Sequence, residues 1–218
     1  SGLSRMITEQ FPKDKSGAVV VMNYRTGEIL SLNSFPNFDP LQMEGVATNP
    51  KKPYINNVTQ WRSAPGSIFK AVTMAAALAI WPDALDRTFT CTGAYQVGET
   101  IITDAGNARH GEITLQKALA VSCNITFAKL ALELGDEQLR LAAQAFGLDD
   151  HLLFSDLVVE NSLYPSSNRV AKELAWTGPG QSALFVTPMH MCLVAAGIAN
   201  DGVIMEPKLL IQSVDRNK

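Results

Sequence analysis

The sequence predicts an α+β fold, and three observations lead to this expectation. A hairpin over residues 16–33 supplies antiparallel strands, a mainly helical stretch covers residues 67–200, and an extended segment covers residues 203–215. A two-stranded sheet is only marginally stable by itself and needs further strands or a covering layer. We therefore expect a domain whose antiparallel sheet is incomplete within these 218 residues.

The hairpin is predicted from the stretch GAVVVMNYRTGEILSLNS. Residues 18–22 form a continuous apolar run, which is typical of a strand buried on both faces. Residues 25–27 supply the turn, and residues 29–32 form the returning strand. Residues 34–66 are rich in Asn, Pro and Ser and are predicted to form a long loop.

The helices are predicted from their cap and stop signals. A Trp-Pro pair at residues 81–82 ends the first helix, Gly135 separates two later helices, and the Thr-Pro pair at residues 187–188 begins the last one. Residues 83–112 are predicted to be irregular. The predicted helical segments are residues 67–80, 114–120, 124–134, 136–147 and 187–200, with a short turn at residues 171–175.

Composition excludes several classes of protein. The hydrophobic share of 46% and charged share of 18% are those of a globular chain, and a net charge of −3 without a basic patch argues against a nucleic-acid partner. We find no signal peptide and no apolar run long enough to span a membrane. The three cysteines, Cys91, Cys123 and Cys192, have neither disulfide-framework nor metal-site spacing, so we expect three small buried hydrophobic side chains and no metal site.

Ser67 and Lys70 have S-x-x-K spacing at the start of the first helix. Residues three apart share one helix face, with Cβ atoms about 5–6 Å apart, so the hydroxyl and the amine can meet. Free backbone N–H groups in the first turn favour the negative charge that develops when a serine attacks a carbonyl. The pair predicts a nucleophilic serine with a lysine as its base.

A lysine acts as a base only when its amine is neutral. The apolar neighbours Ile68, Phe69, Ala71 and Val72 are expected to disfavour the ammonium form of Lys70 and to lower its pKa. The alternative is a structural role, with a capping serine and a lysine whose ammonium group reaches water. The short spacing alone leaves both interpretations open.

A third group is needed to carry a proton to the leaving amine, and an S-x-N triplet would place a hydroxyl and an amide side by side for this. Three triplets have this pattern, and their spacing does not choose among them. They are Ser31-Leu32-Asn33, Ser122-Cys123-Asn124 and Ser166-Ser167-Asn168.

Longer stretches carry a family resemblance. PGSIFK resembles the PGSTFK signature of the penicillin-binding proteins, and HGEITLQKALAVSCNITFAKLALELG is similar to the family segment in which S-x-N lies between two helices. GPGQSALFVTPMHM is similar to the family's GQG…VTPxQ segment, and SGAVVVMNYRTGEILSL resembles the first two strands of its transpeptidase domain. The matches keep the family's order, and the type they resemble is the monofunctional class B protein.

The resemblance implies a fold, an activity and a site. The fold is that of penicillin-binding proteins and serine β-lactamases: an antiparallel sheet flanked by helices, plus an all-α subdomain. The activity is peptidoglycan D,D-transpeptidation in the cell envelope by a membrane-anchored parent protein, without a cofactor, and β-lactams that mimic D-Ala-D-Ala would acylate the serine. The implied roles are Ser67 as nucleophile, Lys70 as base, Ser122 as proton relay to the leaving D-alanine and Asn124 as ligand of the stem-peptide amide.

The sequence also departs from the family pattern. Ser182 stands where the second glycine of GQG is expected, Ile68 replaces a threonine, and the K-T-G motif is absent. In the family, K-T-G binds the substrate carboxylate, and its strand completes the oxyanion hole. We therefore expect residues 1–218 to be roughly the N-terminal two-thirds of a transpeptidase domain, with a C-terminal fragment carrying K-T-G as partner.

Three other functions stay open at this point. A sensor or scaffold would bind β-lactam or stem peptide without turnover, and a D,D-carboxypeptidase would use water as the acceptor. A serine β-lactamase would hydrolyse the antibiotic rapidly, although the S-x-N triplet at Ser122 argues against the class D form, which has S-x-V.

Overall fold

The computed structural model describes residues 2–166 and 170–210. The chain forms two compact units. The first contains the segments Ser1–Arg62, His151–Ser162 and Val186–Lys218, and the second contains Ser63–Asp150 and Leu163–Phe185. The elements, numbered in chain order, are helices α1 (Gly2–Gln10), α2 (Lys70–Ile80), α3 (Leu115–Ala120), α4 (Asn124–Ala145), α5 (Ala171–Thr177) and α6 (Pro188–Ala199), and strands β1 (Gly17–Met22), β2 (Ile29–Phe35), β3 (Thr88–Cys91), β4 (Ala94–Val97), β5 (Thr100–Thr103) and β6 (Gly111–Thr114). This content confirms the α+β class.

The predicted hairpin is present in the first unit. Strands β1 and β2 pair antiparallel from Gly17↔Phe35 to Met22↔Ile29, with a bulge between Val21 and Met22. Helix α6 packs on β1, and α1 packs on β2. A small core of Val58, Val159 and Met189 lies against one face of the hairpin.

The expected burial of β1 on both faces is wrong. Every residue of this strand is only partly buried. Ala18 and Val20 pack on the small core, and Val19 and Val21, which alternate with them, project to the other face. In the described part of the chain the sheet containing β1 has two strands, and this narrow sheet leaves both faces of β1 partly open.

Helical caps in the second unit follow the sequence signals. The predicted helix over residues 67–80 begins as a 3₁₀ turn, Gly66–Phe69, and continues as α2, which ends at Trp81 in an extended conformation. The Thr114 side chain accepts a hydrogen bond from the Lys117 N–H and caps α3. Helix α4 is broken at Gly135, whose φ of 77° is accessible to glycine, as the two-helix prediction required.

Residues 83–112 were expected to be irregular, and this expectation is wrong. Strand β3 pairs with β6, and β4 pairs with β5, in two short antiparallel ladders. Each strand has four residues, and in β3 exposed threonines alternate with the buried Phe89 and Cys91. A pattern this short contains only two inward positions per strand, which is too few to distinguish a strand from a loop.

The expected late extended segment is only partly within the described residues. From residue 203 to residue 210 the chain is irregular, with an isolated parallel bridge between Glu28 and Lys208. Residues 211–215 lie outside the described part of the chain. Among the described residues, no helix combines the length and apolar character needed to cross a membrane.

Candidate active site

The four predicted site residues all belong to the second unit and meet at the Lys70 ammonium nitrogen. Lys70 Nζ lies 3.3 Å from Ser67 Oγ, 2.9 Å from Ser122 Oγ and 2.8 Å from Asn124 Oδ1. It also donates to the Ser122 carbonyl oxygen at 2.6 Å. The structure therefore brings together a serine hydroxyl, an amine and the S-x-N pair from two separate helix starts.

Ser67 is exposed at the surface, whereas Lys70 is fully buried behind it. The 3₁₀ turn that carries Ser67 is held from the opposite side, because the Gly66 N–H donates to the Gly180 carbonyl at 2.8 Å. One turn further along α2, Thr73 Oγ1 donates to the Gly178 carbonyl at 2.9 Å. These two bonds fix the start of α2 against the segment that follows α5.

Burial gives Lys70 its unusual electrostatics. Its exposed fraction is 0%, and its Nζ lies 5.7 Å from the centre of the Phe127 ring. Removal from water lowers the pKa of the Lys70 ammonium, an effect that the negative charge of Asp104 partly offsets. The alternative of an ammonium group reaching water is therefore wrong. The expected contribution of Ile68 to this burial is also wrong, because its side chain is 56% exposed.

The four neighbours of Lys70 Nζ fall into two kinds. The Ser122 carbonyl and Asn124 Oδ1 can only accept hydrogen bonds, whereas the hydroxyls of Ser67 and Ser122 can donate or accept. A neutral amine has two N–H donors and one lone pair. When its two N–H groups bind the carbonyl and the amide, the lone pair of Lys70 is left for a serine hydroxyl.

The S-x-N triplet that contacts Lys70 is Ser122-Cys123-Asn124. Ser122 lies between α3 and α4 with a φ of 57°, a left-handed conformation that is strained for serine. Asn124 begins α4, and its Nδ2 donates to the Thr103 carbonyl at 3.1 Å, which orients Oδ1 towards Lys70.

The other two triplets do not reach this site in the described residues. Ser31 and Asn33 lie on β2 in the first unit, where the Ser31 hydroxyl donates to Asn33 Oδ1 at 2.6 Å. The triplet Ser166-Ser167-Asn168 includes two residues that lie outside the described part of the chain. In the described residues, Ser122-Cys123-Asn124 is therefore the triplet whose side chains contact Lys70.

A cavity of about 600 Å³ opens in front of Ser67 and Asn124. Its size is typical of a small-molecule site. Ser182, which stands where the family has glycine, lines this cavity with a φ of 70°. Its other lining residues are Thr100, Lys172, Glu173, Trp176, Pro179 and Gln181.

A second polar cluster, which the sequence did not predict, lies behind the S-x-N corner. Cys91, Asp104, His110 and Cys123 come from four separate points of the second unit, and their ligand atoms lie within 4.8 Å of one another. Successive members of this cluster are 13, 6 and 13 positions apart in the sequence, and these spacings match no common metal motif. The cluster therefore becomes visible only in the folded structure. The expectation of three simple buried thiols is corrected, because two belong to this polar cluster and Cys192 is only half-buried.

Hydrogen bonds link the second cluster to Asn124. Burial alone would raise the pKa of the Asp104 carboxyl, but bonds from the Cys91 and Cys123 thiols and from the Asn124 backbone N–H lower it. Burial raises the pKa of the Cys123 thiol to about 12. The Asn124 backbone N–H binds Asp104 Oδ1, so the same carboxylate contacts both the thiols and the S-x-N corner.

The fold and the four contacts define a class of protein, one with an S-x-x-K serine–lysine site completed by S-x-N. The sequence model of the penicillin binding protein transpeptidase domain matches residues 17–218, and the chain belongs to this family. The chain is 33% identical over 211 residues to the peptidoglycan D,D-transpeptidase PbpA of Mycobacterium tuberculosis, covering 89% of this chain and 43% of that protein. It is 28% identical over 222 residues to MrdA of Escherichia coli, covering 92% and 35% respectively.

Solved structures agree with the family assignment. Penicillin-binding protein A from M. tuberculosis, solved as an imipenem acyl-enzyme complex, superposes with a TM-score of 0.80 at 31% identity, covering 88% of this chain and 48% of that one. The D,D-transpeptidase domain of a peptidoglycan glycosyltransferase from Eggerthella lenta gives a TM-score of 0.87 at 30% identity, covering 95% and 54%. The chain spans less than half the length of the curated relatives described above.

Proposed function

We propose that this protein crosslinks peptidoglycan stem peptides through an acyl-enzyme formed on Ser67. The observation that carries the proposal is the 3.3 Å approach of a fully buried lysine to an exposed serine hydroxyl at the start of α2. The relatives named as peptidoglycan D,D-transpeptidases and the acyl-enzyme complexes of the M. tuberculosis protein support it. The substrate is the D-Ala-D-Ala end of a stem peptide, and β-lactams acylate the same serine.

In the proposed first step, neutral Lys70 takes the proton of Ser67 while Oγ attacks the penultimate D-alanine carbonyl. Collapse of the tetrahedral intermediate breaks the C–N bond, and the terminal D-alanine leaves as an amine. Its nitrogen needs a proton, which passes from the Lys70 ammonium through the Ser122 hydroxyl, 2.9 Å away. Asn124 holds the peptide amide at the rim of the cavity.

In the second step, the amine of a neighbouring stem peptide attacks the Ser67 ester. Ser122 and Lys70 accept the proton that this amine releases, and Ser67 regains its own. The new amide bond is the crosslink. Water in place of the amine would give hydrolysis, so exclusion of water from the cavity decides between the two outcomes.

The second part of the proposal concerns a segment with the K-T-G motif. A segment carrying K-T-G, outside these 218 residues, would bind the substrate carboxylate and complete the oxyanion hole. The partly buried β1 supports further strands in its own sheet, because its apolar side chains are incompletely covered. We further propose that the protein acts outside the cytoplasm as part of a longer, membrane-anchored protein, because the peptidoglycan that it would crosslink lies outside the cytoplasmic membrane.

The proposal is tested by labelling with fluorescent penicillin, followed by intact-mass and peptide mass spectrometry. We expect one adduct, on Ser67, and we expect Ser67→Ala to abolish it while the far-UV circular dichroism stays unchanged. Ser63→Ala is the matched control, because this serine lies four residues earlier, and it should label like the parent protein. An adduct on another serine, or labelling that survives Ser67→Ala, would contradict the assignment.

A further inference from the structure

Helix α5 presents three side chains to the cavity in front of Ser67. Lys172, Glu173 and Trp176 all line this cavity, and the proposed acyl transfer assigns no role to any of them. Residues three and four apart share a helix face, so Trp176 lies beside both Lys172 and Glu173 on one side of α5. This face of the helix is therefore a candidate for recognising a part of the substrate away from the reacting bond.

The aromatic member of this set is anchored in the second unit. Trp176 is only partly buried, because it packs on a core cluster and also lines the cavity. The Trp176 carbonyl accepts a hydrogen bond from the Gln181 N–H at 2.9 Å, and Thr73 Oγ1 holds the Gly178 carbonyl at the end of α5. The indole thus offers apolar surface to the cavity from a fixed backbone. The core cluster consists of Val97, Ile102, Ala128 and Ala175.

The other two members bring opposite charges to the cavity. Lys172 and Glu173 are both exposed, and neither forms an ion pair within residues 2–166 and 170–210. They also do not pair with each other, since adjacent residues on a helix do not face one another. Two unpaired opposite charges beside an apolar ring fit a ligand that has an ammonium group, a carboxylate group and an aliphatic part.

A second cavity, of about 560 Å³, adjoins the first. The two cavities share Thr100 and Lys172, whereas Ser67 lines only the first of them. A peptide whose reacting carbonyl lies at Ser67 and whose chain extends into the second cavity therefore passes Lys172. This position suits contact with a residue within the substrate chain.

The stem peptide has a suitable group at such a position. The side chain that takes part in crosslinking belongs to the residue before D-Ala-D-Ala and ends in an amine. In a diamino dicarboxylic acid residue the same side chain ends in both an amine and a carboxylate. A side chain with an amine alone would pair with Glu173 but would meet the like charge of Lys172, which disfavours it.

We propose that α5 makes this site specific for donor stem peptides in which the side chain before D-Ala-D-Ala has both an ammonium and a carboxylate group. Glu173 binds the ammonium, Lys172 binds the carboxylate, and Trp176 packs on the methylene groups between them and the peptide backbone. This specificity rests on the proposed function, because the donor peptide must react with Ser67. It adds to that function the chemical class of the stem peptide.

The test uses four peptidyl boronic acids that end in the boron analogue of D-alanine and add reversibly to the Ser67 hydroxyl. They differ in one side chain of equal length, which ends in a zwitterion, an ammonium, a carboxylate or a methyl group. Competition with fluorescent penicillin on the full chain gives their inhibition constants. We expect the zwitterionic probe to bind roughly 25-fold more tightly than the methyl probe, about fivefold for each charge, and this preference to shrink in about 1 M NaCl.

Two variants of α5 assign the preference to its residues. Lys172→Met should remove the preference for the carboxylate, and Glu173→Gln should remove the preference for the ammonium. Each preference is measured relative to the methyl probe in the same variant, which cancels any general effect on Ser67. Lys117→Met and Glu137→Gln are the matched controls, because both are exposed helical residues outside the cavity, and they should keep the preferences of the parent protein.

The outcomes separate the specificity from the proposed function. Equal inhibition by the four probes, or tighter binding of the amine-only probe than of the zwitterionic one, would overturn the specificity and leave acylation of Ser67 standing. Unchanged preferences in either α5 variant would overturn it as well. If penicillin labels Ser67 but none of the four probes competes, the recognition of D-Ala-D-Ala is wrong, and the proposed function falls together with the specificity that rests on it.

Discussion

Lys70 Nζ lies within hydrogen-bonding distance of four oxygen atoms, and two of them, the Ser122 carbonyl and Asn124 Oδ1, can only accept. This arrangement orients the amine whichever protonation state it has. Burial then decides which state is populated, because the charged form loses its hydration. At the scale of the residue, the structure combines an oriented base with a reduced affinity for its proton.

The first prediction concerns the pH dependence of acylation. Because the Lys70 pKa is lowered from 10.5, the folded protein releases this proton at a lower pH than the unfolded chain does. The rate constant for acylation by penicillin should therefore rise with pH, with its midpoint below 10.5. The stability cost of the buried ammonium is full at low pH and is relieved as pH rises through the lowered pKa towards 10.5.

Two lysine variants test this prediction. Lys70→Arg keeps a charge that does not dissociate, so acylation should fall by about 10²–10⁴-fold and lose its rising limb. Lys129→Arg is the control, because this lysine lies on α4, contacts the Thr90 carbonyl and takes no part in the cluster around Ser67. Acylation by Lys70→Arg at a rate near that of the parent protein would show that Lys70 is not the base.

At the scale of the element, the start of α2 depends on the segment that follows α5. Gly180 has a φ of 86°, and a Cβ placed there would overlap the Gly66 carbonyl oxygen and lie 2.8 Å from Phe69 Cβ. The Gly66 N–H donates to the Gly180 carbonyl at 2.8 Å. The close approach of two backbones thus positions the 3₁₀ turn that carries Ser67.

Gly180→Ala should therefore lower the free energy of unfolding by about 2–4 kcal/mol and slow acylation, because overlap adds to backbone strain. Gly98→Ala is the matched control: Gly98 has a φ of 58°, but no atom lies within 4 Å of an added Cβ. Its cost should be only about 1–2 kcal/mol, with acylation unchanged. Urea unfolding and labelling kinetics measure both, and equal effects of the two variants would contradict the role of the close contact.

The elements that the sequence predicted are those with local chemical signals. Two helix starts were predicted from their capping residues, Thr114 and Thr187, and the break in α4 was predicted from Gly135. Capping and the left-handed conformation of glycine depend on only a few neighbouring residues, so they can be recognised in the sequence. Strands β3 and β6 have no such signal, since their pairing joins residues up to 26 positions apart, as in Thr88↔Thr114. Strands β4 and β5 form a local hairpin, from Ala94↔Thr103 to Val97↔Thr100, but each has only four residues, which is too short a pattern to identify a strand.

The same distinction holds for the site. The contact between the Ser67 hydroxyl and the Lys70 amine was predicted from their spacing, because the two residues lie within one helical turn. The contact of Lys70 with Ser122 spans 52 residues, and sequence reasoning reached it only through a family resemblance. The Cys91–Asp104–His110–Cys123 cluster depends on pairing of β3 with β6, so the failure to predict those strands was also the failure to predict the cluster.

At the scale of the whole molecule, the second unit holds the four residues around Lys70, and the first unit holds the β1–β2 hairpin. Every residue of β1 is partly exposed, although five of the six residues in GAVVVM, all except Gly17, have apolar side chains. Complete burial of such a side chain contributes about 1.5–3 kcal/mol. Several incompletely buried side chains therefore represent a large fraction of a typical stability of about 5–15 kcal/mol.

The last prediction follows from this open strand and from the absence of K-T-G in the sequence. Residues 1–218 expressed alone should unfold at a lower temperature and less cooperatively than a longer chain that includes the K-T-G segment. Acylation of Ser67 by penicillin should also be slower, by about 10²–10³-fold if one oxyanion donor is lost. Circular dichroism during heating and stopped-flow labelling measure the two effects. A longer chain in which K-T-G is changed to A-A-G separates the contributions. It keeps the strand, and with it the stability and the backbone oxyanion donor, but lacks the Lys and Thr side chains expected to bind the substrate carboxylate. Equal melting and equal acylation of the short and long chains would show that the sheet and the cavity need nothing beyond these residues.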